Sequence, residues 1–282
     1  MQAVKFAVLP TAVTMRFITR FLDSSIGKKI LMSLTGLFLC LFLIVHVTGN
    51  LQLFRDDHGL AFNQYTVFMT TFPVIKLISY LLYATFLIHV FNGFRLVLIN
   101  RKARQVGYNS RKDPRSSTWA SKNMGLLGFI LLLFLVTHMA NFWYAYKFGE
   151  VPWKMYQVEV LTQVVREPVL LDESQIPAAP FEVTGSDALG VPVKNVVVKD
   201  LYEVVYKAFS APGNWWLVVF YVVGMVALAY HLVHGFQSAF QTLGIRPPAY
   251  APLIRGIGVW IFGIIIPLLF AAMPLYFYFI KA

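Results

Sequence analysis

Carboxylates are scarce in this chain and missing where they would be most informative. Its 282 residues hold 13 Asp and Glu against 24 Lys and Arg, so charged residues make up 13% of the chain, about half the roughly 25% usual in soluble domains. Not one Asp or Glu falls inside any of the long apolar runs. Proton-coupled transporters place carboxylates at that depth, so this absence argues against a proton relay. Cysteine is almost missing as well. Cys40 stands alone in an apolar run, which excludes a disulfide within the chain, and no Cys-x-x-Cys-His occurs, which excludes c-type haem attachment.

What is present is apolar surface. Hydrophobic residues make up 58% of the chain and the mean hydropathy is +0.64. A core of this size cannot absorb so much, so the expected solvent is a bilayer. The formal net charge of +11 would suggest nucleic acid in a soluble protein. Here the bases cluster in loops beside apolar runs, which points to membrane lipid and not to nucleic acid.

Five stretches reach the roughly 20 apolar residues that a spanning helix needs: about 30–51, 75–99, 124–146, 215–238 and 256–279. The first starts late and is too long for the core of a signal peptide, so no cleaved leader is expected. Arg16, Phe17, Arg20 and Phe21 precede it at helical spacing and predict a short interfacial helix. The expected fold is an all-α membrane protein, a bundle of five transmembrane helices. It divides into an N-terminal segment 1–29, helices one to three over 30–146, a long external loop 147–214, and helices four and five over 215–282. Within that loop, Val191–Lys199 alternates weakly like a strand. Residues Lys199–Phe209 pattern as an amphipathic helix, ended by Ala211-Pro212-Gly213.

Loop charge sets the expected orientation. Residues 1–29 carry five bases and one acid; residues 100–122 carry Arg101, Lys102, Arg104, Arg111, Lys112, Arg115 and Lys122 against Asp113 alone. Arg246 and Arg255 flank the fourth connection, whereas residues 147–214 hold six bases and nine acids. The positive-inside rule puts the N-terminus, loop 100–122 and loop 239–255 in the cytoplasm, and the long loop and C-terminus outside a cytoplasmic membrane.

Five of the six histidines (His46, His89, His138, His231 and His234) lie in apolar runs, and His58 lies in an outer connection. Neutral imidazole without acid partners suits metal ligation, and inward-facing histidines on two helices can bind a haem iron from both sides. Two echoes support this. Gly36-Leu-Phe-Leu-Cys-Leu-Phe-Leu-Ile-Val-His46 matches Gly128-Phe-Ile-Leu-Leu-Leu-Phe-Leu-Val-Thr-His138, with Gly ten residues before His in both. His89-Val-Phe-Asn-Gly93 matches His231-Leu-Val-His-Gly235, with Gly four residues after His, on the same helix face. Such glycines, with Gly224, would leave room for a flat macrocycle. Chain direction pairs His46 with His138 near the outer leaflet and His89 with His231 near the inner one. The expectation is a bundle enclosing two haems b, with His234 structural. Ser33, Arg95, Trp119 and Lys122 stand level with the inner haem's propionates.

The four-histidine pattern resembles the single-chain, five-helix, two-haem cytochrome b subunit of succinate:quinone oxidoreductases, that is, succinate dehydrogenase or fumarate reductase. Ser33-Leu-Thr-Gly-Leu-Phe-Leu running to His46 is similar to that family's first helix, Ser117-Thr-Trp119 to the approach to its third, and His89, His138 and His231-x-x-x-Gly235 to its other ligand positions. The resemblance covers all five runs. It implies a flavoprotein partner with covalent FAD and an iron–sulfur partner, both on the cytoplasmic face, where loop 100–122 would dock the latter. It also implies a quinone, usually menaquinone. Succinate or fumarate chemistry would lie on the partner subunits. The 147–214 loop is longer than in compact members. No glutamate precedes the second helix, where some members have one, so a quinone is expected near Asp56, Asp57, His58, Asn63 and Gln64. The rival expectations are a di-haem quinol-oxidising anchor of a nitrate reductase or hydrogenase, and a non-haem transporter with packing histidines.

The orientation is checked with a single cysteine. In a Cys40→Ser background, Gln105→Cys should resist a membrane-impermeant maleimide in intact cells and react after permeabilisation. Labelling in intact cells would reverse the topology.

Overall fold

The computed structural model describes residues 16, 19–103 and 118–281. Residues 1–15 and Phe17 of the expected interfacial helix lie outside the described residues, as do Arg104, Arg111, Lys112, Asp113, Arg115 and Ser117. Residues 19–23 are helical and exposed. Five helices are long and apolar enough to cross a membrane: Ser25–Phe54, Pro73–Ala103, Met124–Phe148, Pro212–Thr242 and Ala251–Phe279. This is a multi-pass membrane protein. Each span overruns the apolar run read from the sequence, because helical hydrogen bonding continues through polar ends such as Ser25–Lys29 and Asn100–Ala103.

The spans begin and end on identifiable chemistry. Ser24 caps the first, its Oγ accepting from Gly27 N at 2.9 Å. Phe72 is extended and Pro73 opens the second span at a position where its missing N–H costs nothing. Inside the spans, Ser33, Thr35, Thr48, Ser79 and Thr137 donate to the carbonyl four residues earlier, at 2.7–3.0 Å. Hydroxyls in hydrocarbon are thereby satisfied within their own helix. The third span passes into a π-helical turn at Met139–Tyr144, directly after His138. The fifth is π-helical over Ile257–Ile265, just before Pro267. The second of these turns absorbs the hydrogen bond that Pro267 breaks.

The first and fourth spans form the centre of the bundle. The second packs on the first, the third on the fourth, and the fifth against both. Cys40, Val47, Leu217, Tyr221, Phe236, Phe262, Ile266 and Phe277 fill the core between them. The second and third spans lie outermost and meet at few places, among them Tyr83 against Trp143 and Val97 against Gly125. Their outward faces carry Leu77, Tyr80 and Phe91 on the second and Leu126, Leu133 and Val136 on the third, as a lipid-facing surface should.

The long loop is not a loop. Trp153–Glu159 (β1), Val169–Leu170 (β2), Phe181–Ser186 (β3) and Pro192–Lys199 (β4) form an antiparallel sheet in the order β2-β1-β4-β3. It lies against a helix at Leu60–Thr71 (α1), and the helix Leu201–Ser210 (α2) follows it. The membrane-spanning part is all-α as expected, and the sheet is confined to the connection between the third and fourth spans. The strand read at Val191–Lys199 and the helix read at Lys199–Phe209 are present, but three further strands complete a small α/β cap. One buried polar knot fastens it. Asn63, Tyr156 and Asp200 are fully buried. Asn63 Nδ2 donates to Asp200 Oδ1 at 2.7 Å and to Tyr156 Oη at 3.0 Å, and Tyr202 N donates to Asn63 Oδ1 at 3.0 Å. Lys154 Nζ stands 2.6 Å from Asp200 Oδ2. Leu60, Val67, Val196 and Val198 surround the knot. The chain enters α1 through two left-handed residues, His58 and Gly59 (φ 55° and 87°), and a side chain at Gly59 would run into the Tyr202 ring.

Two substitutions separate the knot from ordinary surface pairing. Lys154→Met strands a buried carboxylate and should cost about 3–5 kcal/mol, seen as faster proteolysis and amide exchange in the cap. Lys194→Met breaks an exposed pair with Glu182 and should cost about 0–1 kcal/mol. Equal effects would show that the knot does not fasten the cap.

Candidate functional site

Alternate spans run in the same direction, and the bundle twice brings a histidine from each of two such spans to one level. At the end near the cap, His46 of the first span and His138 of the third face each other with ring centroids 5.8 Å apart and planes at 87°. At the other end, His89 of the second span and His231 of the fourth stand 6.3 Å apart at 65°. These are the two pairs expected from the sequence. No hydrogen bond joins the rings of either pair, and among the described residues no group of three or more His, Cys, Asp or Glu forms a larger cluster. A metal held from opposite sides, about 2 Å from each nitrogen, puts the two ring centres roughly 6 Å apart, so both separations fit a shared ion.

The surroundings differ between the levels. The outer pair is aromatic. Phe42 stacks on His46 at 5.1 Å and Phe134 on His138 at 5.6 Å. Phe270 packs 5.4 Å from His46; Phe142 and Tyr221 pack 5.3 and 6.1 Å from His138. Phe42 and Phe134 both precede their histidine by four residues, at the same place in the two echoes; that shared offset was the signal available for them. Asn141, in the π-helical turn, donates to Tyr221 Oη at 3.3 Å. The inner pair is flanked by small and hydroxyl residues. A Cβ at Gly36 would lie 3.4 Å from His89 Cε1, and one at Gly128 3.9 Å from His231 Cε1.

The glycines therefore work across the levels. Gly36 and Gly128 lie beside the inner pair, not beside the histidines ten residues further along their own helices. Gly224 serves the outer level in the same way: a Cβ there would come 2.7 Å from Phe134, which stacks on His138. Gly93 meets only Met32, at 3.4 Å, and nothing lies within 4 Å of a Cβ at Gly235, so that side of His231 is open. Ten residues of helix separate Gly36 from His46 and Gly128 from His138, which sets the two levels about 15 Å apart.

Ring nitrogens are few in partners. Thr35 Oγ1 lies 3.1 Å from His89 Nδ1, and Asn50 Nδ2 lies 3.3 Å from His46 Nδ1. Nδ1 of His138 and of His231 is buried without a partner. His234 turns elsewhere, its Nε2 3.2 Å from Ser238 Oγ.

The other expected site residues are dispersed. Ser33 is buried and donates to Lys29 O. Arg95 bonds Asp23 at 2.7 Å, and its guanidinium holds that carboxyl below the usual range. Trp119 is exposed and packs edge-on against Tyr230, beside His231, at 5.4 Å. Lys122 ends the short helical turn Trp119–Lys122 that precedes the third span. At the cap end, Asp57 caps α1 by accepting from Gly59 N and Ala61 N, both at 3.0 Å. Asn63 is in the buried knot. Gln64 donates to Glu182 at 2.8 Å, and His58 Nδ1 lies 3.6 Å from Glu167. Asp56 is fully exposed, 3.8 Å from Lys281. Three of these five polar groups, His58, Asn63 and Gln64, thus bond to the cap.

No family model, curated protein or solved structure matches the chain, and its functional reading rests on this geometry.

The glycine packing is open to test. Gly224→Val must displace Phe134 and should lower stability in detergent by roughly 1–3 kcal/mol. Gly235→Ala meets no protein atom and should unfold at the wild-type temperature. A Gly224→Val protein as stable as wild type would overturn the packing of the outer pair.

Proposed function

We propose that the chain is the cytochrome b membrane anchor of a succinate dehydrogenase or fumarate reductase, carrying electrons between an iron–sulfur partner and a quinone. The observation that carries the haem reading is the pair of facing, acid-free imidazole couples at two depths. Packing alone explains them poorly. An unsatisfied buried polar group costs about 1–3 kcal/mol, and Nδ1 of His138 and of His231 is buried with no hydrogen bond among the described residues.

Two haems b fit the residues present: the centroid separations match a shared ion, and Gly36, Gly128 and Gly235 leave backbone faces bare at the inner level. His46 and His138 would hold one group, and His89 and His231 the other. Bound haem would supply reversible one-electron chemistry, which the carboxylate-free helices lack. The chain's own part is to fix the imidazoles at matched height and exclude water with the Phe42–Phe134–Phe142 wall. Arg95, Ser33, Trp119 and Lys122 are assigned to propionates on the cytoplasmic side, where Arg95 would exchange Asp23 for that role.

The basic loop 100–122 is assigned to docking of the iron–sulfur subunit, with the flavoprotein beyond it. The N-terminus faces the cytoplasm and the cap faces outward. Quinone, with menaquinone as the family type, is assigned to the cap side near Asp56 and His58. Asp57, Asn63 and Gln64 support that end through the cap.

Pyridine haemochrome analysis of the purified complex should return two haems b per chain, and mass spectrometry should identify flavin and iron–sulfur subunits with it. Molybdenum or hydrogenase subunits instead would select the rival anchor. His231→Ala should retain one haem and His234→Ala both. One haem or none in the wild type, or the reverse pattern in the variants, would overturn the assignment.

A further inference from the structure

Among the four facing histidines, one is held in a way the others are not. Thr35 Oγ1 donates to Leu31 O at 2.7 Å and also lies 3.2 Å from Met32 O. Its single proton is therefore committed to its own helix. The remaining capacity of that hydroxyl is as an acceptor. The 3.1 Å contact with His89 Nδ1 is then an Nδ1–H donating to Thr35. A neutral imidazole carries one proton, so Nε2 of His89 is left as a bare lone pair.

Thr35 is buried, and Gly36 beside it borders the same ring, where a Cβ would sit in van der Waals contact with Cε1 at 3.4 Å. Across the pair, His231 has the matching glycine, Gly128, but no hydroxyl: its Nδ1 is buried and unpartnered. The corresponding place before Gly128 is Leu127, which offers no acceptor.

We propose that Thr35 is a positioning residue that locks His89, and not His231, in the Nε2-ligating tautomer, making the two inner imidazoles unequal donors. This rests on the haem reading above. An imidazole whose Nδ1–H is hydrogen-bonded is a stronger electron donor to a bound metal, which favours the oxidised ion. The lock therefore lowers the reduction potential of the group held by His89 and leaves the outer group untouched.

The test is a redox titration of the intact complex with electron paramagnetic resonance of its oxidised form. Thr35→Val keeps the shape and removes the acceptor. It should retain two haems, shift the potential of one upward, alter that haem's low-spin signal and leave the other at its wild-type values. Thr35→Ser should restore the wild type. If Thr35→Val loses the inner haem outright while Thr35→Ser keeps it at the wild-type potential, the hydroxyl is again the cause. Two haems with unchanged potentials and signals in Thr35→Val would overturn the inference alone, as would loss of haem in both variants. A wild-type complex without a b-type spectrum would overturn the haem reading and this inference with it.

Discussion

Everything in the bundle follows from keeping four imidazoles in a hydrocarbon interior that contains no carboxylate. Histidine there is costly unless its nitrogens are engaged, and the chain engages few of them through its own groups. It arranges the rings in facing couples and gives each couple a different wall. The outer one is enclosed by phenylalanines and Tyr221. The inner one is bordered by Thr35, Gly36 and Gly128. The outer couple thus sits in the less polar surroundings, so two groups of identical ligation would experience unlike fields.

Helix direction makes this arrangement cheap to encode. A single motif, glycine ten residues before histidine, is used on the first and third spans. In each case the glycine serves one level and the histidine the other. The second and fourth spans run the opposite way and supply the couple at the other level, His89 and His231. Two copies of one simple pattern on parallel spans thus touch both levels.

Much of this was legible in the sequence. Length and hydropathy located the five spans, because a spanning helix must satisfy its backbone internally and so needs an unbroken run. Counting residues from each end paired His46 with His138 and His89 with His231. What the sequence concealed was contact across helices. The ten-residue glycines were read only as an internal echo, because helical phase says nothing about which neighbour stands opposite. The sheet was read as one weak strand, since β1, β2 and β3 are defined by their pairing with other strands and not by their own pattern. Asn63 and Gln64 looked like free polar groups near a quinone because burial of a loop residue depends on what folds over it, here Tyr156, Asp200 and Glu182.

The knot around Asn63 also carries a schedule. Its partners Tyr156, Asp200 and Tyr202 lie 93, 137 and 139 positions further along the chain. During synthesis the first two spans are therefore in place long before anything can cover Asn63, and the clasp closes only once the third span has crossed and the whole sheet has followed it. A chain inserted with one span missing would deliver Asp200 to the opposite side of the membrane from Asn63 and leave α1 uncovered, with Leu60, Val67 and a polar amide showing. The clasp thus couples correct insertion of the third span to burial of α1.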